Sequence, residues 1–315
     1  MNESPETRSS EGIRKSHASP FKSGFIAIVG RPNVGKSTLM NRLLGQKVSI
    51  VSPRPQTTRT RIAGIKSLPG AQMIFLDTPG IHKAGGYFHR LMVKSAMNTL
   101  AEADLILWIV EATDPLSEDD KHILEALKGV KAPILLAINK VDLVEKQRLL
   151  PVIDRFQALL PFVDIVPISA TEGDNVEVLE SLLIQHLPEG QPLYPLDQLT
   201  DQPERFIIAE LIREKIFHLV YQEVPYAVAV EVEQVKALEG RDLTDVEATI
   251  YVEKDSQKGI IIGRGGAMLK KIGEQARPEI EMLLGTQVFL KLWVKVRSDW
   301  QKDHEALKRL GYLQP

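Results

Sequence analysis

Two hydrophobic periods divide this chain. Between residues 24 and 187, short and nearly continuous apolar runs alternate with longer stretches in which apolar residues recur at helical spacing. The runs near 25–29, 61–67, 72–77, 104–110, 133–138 and 164–168 predict strands. A strand covered on both faces reads as unbroken apolar sequence rather than as alternation. Strands alternating with amphipathic helices predict an α/β unit, a mostly parallel sheet with helices on both faces. The turn Leu68-Pro69-Gly70-Ala71 is too short for a crossover, so the second and third strands are expected as an antiparallel hairpin. A helix over 176–187 closes this unit.

Residues 189–203, following Pro188, carry Pro192, Pro195, Pro203 and Gly190 and read as a linker across the surface. Beyond them the pattern changes. Ile208, Leu211, Ile212, Ile216, Leu219 and Val220 recur at helical spacing, with Glu210, Arg213, Glu214 and Lys215 between them. A strand follows, with Val228, Val230 and Val232 on one face and Ala229, Glu231 and Glu233 on the other. A second strand is expected over 248–253, two helices meet near 263–266, a last strand covers 288–296, and a polar helix lies near 300–310. The order α-β-β-α-α-β is that of an α+β type II KH domain. Residues 1–20 hold almost nothing apolar and are expected to be a disordered tail. The expected organisation is a tail at 1–20, an α/β unit at 21–188, a linker at 189–203 and a KH unit at 204–315.

Composition narrows the classes. At 315 residues, two domains are expected. No run reaches the ~18 apolar residues that span a bilayer, and the N-terminus has no signal-like apolar core. Cysteine is absent, which removes a disulfide framework and thiolate metal sites and suits a cytoplasmic protein. A net charge of −2 says little. Locally, however, residues 254–297 carry nine Lys and Arg against four Asp and Glu, an excess that favours nucleic acid.

The chemistry is concentrated in four motifs, each closing a predicted strand. Gly30-Arg31-Pro32-Asn33-Val34-Gly35-Lys36-Ser37-Thr38 fits a phosphate-binding loop entering a helix. Its amides and the helix dipole suit phosphate, Lys36 would reach the terminal phosphates, and the Ser37 hydroxyl would ligate Mg²⁺. The alternative is a Gly-rich turn that binds nothing. Asp77-Thr78-Pro79-Gly80 offers a carboxylate for Mg²⁺ and a Gly80 N–H for a γ-phosphate, although it is also an ordinary turn. Asn139-Lys140-Val141-Asp142 places an acceptor-only carboxylate where guanine presents two donors and adenine does not. Ser169-Ala170 would offer a backbone N–H to guanine O6. Thr58 is the candidate for completing the metal shell, with Thr57 as the near alternative. The candidate catalytic groups are Lys36, Thr58 and Gly80; the metal-holding ones are Ser37, Thr58 and Asp77.

In the KH unit, Gly263-Arg264-Gly265-Gly266 is the expected phosphate clamp, with Lys258, Lys270 and Lys271 around it. Phe289 and Trp293 share one strand face, read as core first and as a base-stacking platform second.

With these motifs in this order, the chain resembles the Era family of bacterial GTPases from Gly24 onward; the 20-residue tail is longer than such proteins usually carry. The resemblance implies GTP hydrolysis to GDP, a role in small ribosomal subunit assembly through the 3′ end of 16S rRNA, and peripheral association with the inner face of the membrane. The partners expected are GTP and GDP, that rRNA and the small subunit, with the chain a monomer. Where Ras-like enzymes place a water-orienting glutamine, this chain has Ile81, so intrinsic hydrolysis is expected to be slow. Resemblance to potassium-activated relatives makes Asn33 the candidate for holding K⁺ near the phosphates; a loop-stabilising side chain is the alternative. Two other classes stay open: a switch whose KH unit binds protein, and a membrane-recruited switch.

Overall fold

The protein, a computed structural model, is described over residues 20–55, 57–80 and 86–313. The expected tail, apart from Pro20, and Ile81 lie outside the described residues.

The first sheet contains β1 (Lys22–Val29), β2 (Ile62–Leu68), β3 (Ala71–Asp77), β4 (Leu105–Glu111), β5 (Ile134–Asn139) and β6 (Asp164–Pro167) in the order β2-β3-β1-β4-β5-β6. The β2–β3 pair is antiparallel and the other pairs are parallel. Its helices are α1 (Lys36–Leu44), α2 (Tyr87–Glu102), α3 (Glu118–Leu127), α4 (Leu149–Gln157) and α5 (Val176–His186). Strand alternation distributes them between two layers. Ile26 and Ile28 pack with Leu39 and Leu43 of α1 and with Leu179 and Leu183 of α5. Ala27 and Val29 pack with Leu100 of α2, Ile123 of α3 and Phe156 of α4. From β1 the chain builds β2 and β3 on one side and then crosses through α2 to β4 on the other, so a crevice opens at the carboxyl end of β1, where α/β sheets bind ligands.

The proline-rich segment is a strap along the edge of this sheet. The Ile65 N–H donates to the Leu199 carbonyl at 2.8 Å and the Thr200 hydroxyl to the Ala63 carbonyl at 2.6 Å. The fully buried Gln72 side chain accepts from the amides of Leu193 and Tyr194. Covering β2 in this way removes an open sheet edge.

The second unit holds α6 (Glu204–Leu219), β7 (Ala229–Ala237), β8 (Leu243–Val252), α7 (Asp255–Ile262), α8 (Ala267–Leu284), β9 (Gln287–Val296) and α9 (His304–Arg309). Its sheet runs β7-β8-β9, antiparallel then parallel. Ile212 and Ile216 of α6 and Ile272, Ala276 and Ile280 of α8 cover one face. β8 starts at Leu243 rather than 248, because only alternate residues of Thr244-Asp245-Val246-Glu247 face the core and the polar ones mask the strand. Phe289 and Trp293 are not core: they lie on the face away from the helices, 55% and 41% exposed. The region near 300–310 is a single turn (Trp300–Lys302) followed by α9, and its inner side is apolar. Trp300, Ala306 and Leu307 are buried against Phe88 and Met92 of α2, joining the two units.

Candidate nucleotide and nucleic-acid sites

The loop after β1 enters α1 through Gly35, whose φ of 105° is left-handed. A Cβ there would lie 2.3 Å from the Asn139 amide nitrogen, so only glycine lets the two loops meet. Asn139 donates to the Val34 carbonyl at 2.7 Å and accepts from the Ala170 amide at 2.9 Å, tying three of the four motifs together. The turn Val141–Leu143 then carries Asp142 to the surface. Ser169 and Ala170 are buried beside it. Lys140 pairs with Glu111 at 3.0 Å, and the same carboxylate meets Arg31 at 3.2 Å.

Lys36 is buried and donates to the carbonyls of Gly30 and Arg31, both at 2.9 Å. Burial lowers its pKa to about 8, against the opposing pull of Asp77. Asp77 is itself fully buried, and burial raises its pKa, with Lys36 and three hydroxyls opposing. Its Oδ2 accepts from Ser37 at 2.7 Å, Ser49 at 2.8 Å and Thr58 at 3.4 Å. The Thr57 hydroxyl instead donates to the Arg54 carbonyl at 2.7 Å, turned away from this cluster. Thr78 donates to the Ile28 carbonyl, and a Cβ on Gly80 would lie 3.0 Å from the Pro32 ring, so the Asp77–Gly80 loop closes directly on the phosphate loop. Asn33, at φ 63°, donates to the Pro53 carbonyl at 2.7 Å.

A hard cation fits this cluster. Asp77 Oδ1 is buried with no hydrogen-bond partner among the described residues. The Ser37 and Thr58 hydroxyl oxygens are 3.2 Å apart, close to the ~3 Å edge of an octahedron with 2.0–2.1 Å metal–oxygen bonds.

Several contributors escaped the sequence motifs. Ser49 joins the Asp77 cluster. Asn41 holds the amides of Val48 and Ser49, each at 2.9 Å. Arg42 donates to the Ala170 carbonyl at 2.6 Å and to that of Thr171, bracing the base-side loop from behind. None belongs to a contiguous motif; an asparagine and an arginine inside α1 were the only signal.

The glycine loop at 263–266 joins α7 to α8. Gly263, at φ 71°, packs on Met268, where a Cβ would lie 2.8 Å from the backbone nitrogen. A Cβ added at Gly265 or Gly266 would meet nothing within 4 Å, so bare backbone faces outward at the start of the 18-residue α8. The first turn of α8 has no acid, and Lys270 and Lys271 follow it, a charge order that opposes the helix dipole and suits an anionic ligand. Beside the loop an open groove between α8 and β9 is lined by Leu269, Gly273, Arg277, Val288 and Leu292. The basic excess is smaller in space than in sequence: Lys291 pairs with Asp245 and Glu247, Lys295 with Glu233 and Arg297 with Asp303. Arg264 and Lys271 remain exposed at the loop, and Lys258 is half-buried on α7.

Fold and sites together define a P-loop GTPase carrying a KH domain. Residues 25–140 match the family described as 50S ribosome-binding GTPase, and residues 223–301 match the KH domain family. GTPase Era of Geobacter metallireducens is 55% identical over 293 residues, which are 93% of this chain and 98% of that protein. A crystal structure of Era with MgGDPNP and nucleotides 1506–1542 of 16S ribosomal RNA superposes with a TM-score of 0.90 at 42% identity, over 93% of this chain and 100% of the other. Aquifex aeolicus Era Y63A bound to GDP·AlF4⁻ gives the same TM-score, identity and coverage. The chain belongs to the Era family of GTPases.

Proposed function

We propose that this chain is a GTP-driven switch in small ribosomal subunit assembly, hydrolysing GTP to GDP and phosphate and binding 16S rRNA through its KH unit. The observation that carries the proposal is the convergence of Ser37, Ser49 and Thr58 on Asp77 beside a phosphate loop, in a chain that also presents the bare glycine loop of a KH fold. The similarity to Era solved with a guanine nucleotide and a 16S rRNA fragment supports it. The hydrolytic unit is assigned to 21–188, the strap to 189–203 and the RNA-binding unit to 204–315.

In this assignment the amides of residues 30–38 hold the phosphates and Lys36 neutralises their charge. Ser37 and Thr58 would hold Mg²⁺, with Asp77 behind them, and the ion would supply positive charge against the phosphates. The Gly80 N–H meets the γ-phosphate. Asp142 accepts from guanine; the Ala170 N–H, which donates to the Asn139 Oδ1 at 2.9 Å, gives up that partner to donate to guanine O6 when the base enters, and Asn139 still ties the base-side loop to the phosphate loop through the Val34 carbonyl. Asn33 would hold K⁺ beside the phosphates, which would supply the positive charge that an arginine finger gives elsewhere; equal turnover in NaCl and KCl would leave Asn33 the loop-stabilising side chain that its 2.7 Å bond to the Pro53 carbonyl already makes it.

Fluorescence anisotropy with an RNA copy of the 16S 3′ end tests the RNA assignment. Gly266→Asp introduces a negative side chain at an open left-handed position and should weaken RNA binding at least about tenfold, since like charge replaces a charge-assisted contact. Guanine-nucleotide affinity serves as the folding control. Liposome flotation addresses membrane recruitment; among the described residues no helix is long and apolar enough to cross a membrane. Binding to anionic vesicles without RNA binding would overturn the assignment.

A further inference from the structure

Arg59 directly follows Thr58, and its side chain leaves the GTPase unit. It is buried, 3% exposed. Its guanidinium donates to the carbonyls of Val228 at 2.5 Å, Tyr226 at 2.9 Å and Pro225 at 3.2 Å, on the turn leading into β7. Four rings surround it: Phe217, Trp300 and Tyr312 at 5.8 Å and Phe88 at 5.9 Å. Three of these belong to the KH unit, and Phe88 lies in the first turn of α2. From the other side, Arg213 of α6, fully buried and paired with Glu210, donates to the Thr57 carbonyl. The peptide group before Thr58 and the side chain after it are therefore both gripped by the second unit.

We propose that Arg59 is a positioning residue for GTP hydrolysis: anchored in this cage, it holds Thr58 at the metal site, so that docking of the KH unit and seating of Thr58 are one equilibrium. The proposal rests on the assignment of Thr58 as a metal-holding hydroxyl. A cation enclosed by carbonyls and ring faces does not withdraw by degrees, because partial withdrawal strands buried acceptors and a half-solvated charge together. The cage is accordingly either filled or open. By linkage, anything that favours the docked KH unit strengthens Mg²⁺-dependent GTP binding, and the converse holds by the same factor.

The test uses the full chain and the variants Arg59→Ala, Arg59→Lys, Tyr312→Leu, Thr58→Ala and Arg59→Ala/Thr58→Ala. Two quantities are read: the single-turnover rate of GTP hydrolysis, and the Mg²⁺ concentration giving half-maximal binding of a fluorescent non-hydrolysable GTP analogue. GDP affinity is the control. Arg59→Ala and Tyr312→Leu should each raise that Mg²⁺ concentration about tenfold, the scale of losing a desolvated cation–ring contact, with GDP affinity unchanged. Arg59→Lys, which keeps the charge and loses the fork, should fall between. The double variant should be no worse than Thr58→Ala alone. Tyr312→Leu alters only the KH wall of the cage and decides the matter if Arg59→Ala fails to fold. Parallel weakening of GTP analogue and GDP would mark a merely structural residue and overturn the proposal. Wild-type behaviour of Arg59→Ala and Tyr312→Leu beside an impaired Thr58→Ala would overturn it while leaving the Thr58 assignment standing. A wild-type Thr58→Ala would remove both.

Discussion

Nucleotide binding should take up a proton at Lys36, and the amount can be worked out. Burial holds this ammonium at a pKa of about 8, below its ordinary 10.5. A triphosphate placed against it adds negative charge and restores the protonated form. With a pKa of about 8, roughly 0.1 of the Lys36 side chains are deprotonated at pH 7 and roughly 0.9 at pH 9. GTP binding should therefore draw about 0.1 proton per molecule at pH 7 and about 0.9 at pH 9 through this group, and apparent affinity should fall about tenfold between them. Calorimetry in two buffers of different ionisation enthalpy reads the uptake. Lys36→Arg keeps a permanent charge, so subtracting its uptake removes the contributions of base and phosphate. Equal uptake by wild type and Lys36→Arg at pH 9 would refute the reasoning. The same shift has a sign for stability. The unfolded chain binds more protons between pH 8 and 10.5, so stability rises with pH across that window, by up to about 3 kcal/mol.

Arg42→Ala should weaken GTP and GDP equally, by about tenfold on the scale of a charge-assisted hydrogen bond, because it frees the base-side loop and leaves the phosphate loop intact. Gly80→Ala should act on GTP alone: its Cβ meets the Pro32 ring and nitrogen at 3.0 Å, so an analogue of GTP loses affinity in calorimetry while GDP keeps it. Gly263→Ala should destabilise the protein by about 1–3 kcal/mol, read as a lowered melting temperature, since a left-handed φ of 71° and the Met268 backbone both resist a methyl group.

The elements were largely legible in the sequence because buried parallel strands are apolar runs and the nucleotide motifs sit at their ends. Each of the six strands of the first sheet lies within a residue or two of its apolar run, apart from the longer start of β1 at Lys22. Period 2 placed Phe289 and Trp293 on one face, but nothing in a single strand says which face the helices cover. β8 was shortened in the sequence because a sheet open on one side mixes Asp245 and Glu247 into its core pattern. The site was legible where one motif supplies both backbone and side chain, as at Gly35-Lys36-Ser37. It was not legible where distant residues converge. Ser49, Arg42 and above all Arg59 and Arg213 look like ordinary polar positions until the fold brings a carbonyl or a ring against them. At residues 57–59 the sequence assigned chemistry to Thr58, while the neighbouring Arg59 makes one of the contacts between the units.

Selection of the purine by Asp142, above a triphosphate held by main-chain amides, is tested most directly by calorimetric titration of the wild-type chain and Asp142→Asn with GTP, ATP and XTP. A carboxylate paired with two guanine donors, and left unpaired against adenine, separates the two by more than ~10³. Asp142→Asn should turn the preference from GTP toward XTP, whose base carries an acceptor where guanine carries an amine. Wild-type chain binding ATP within a few fold of GTP would contradict it.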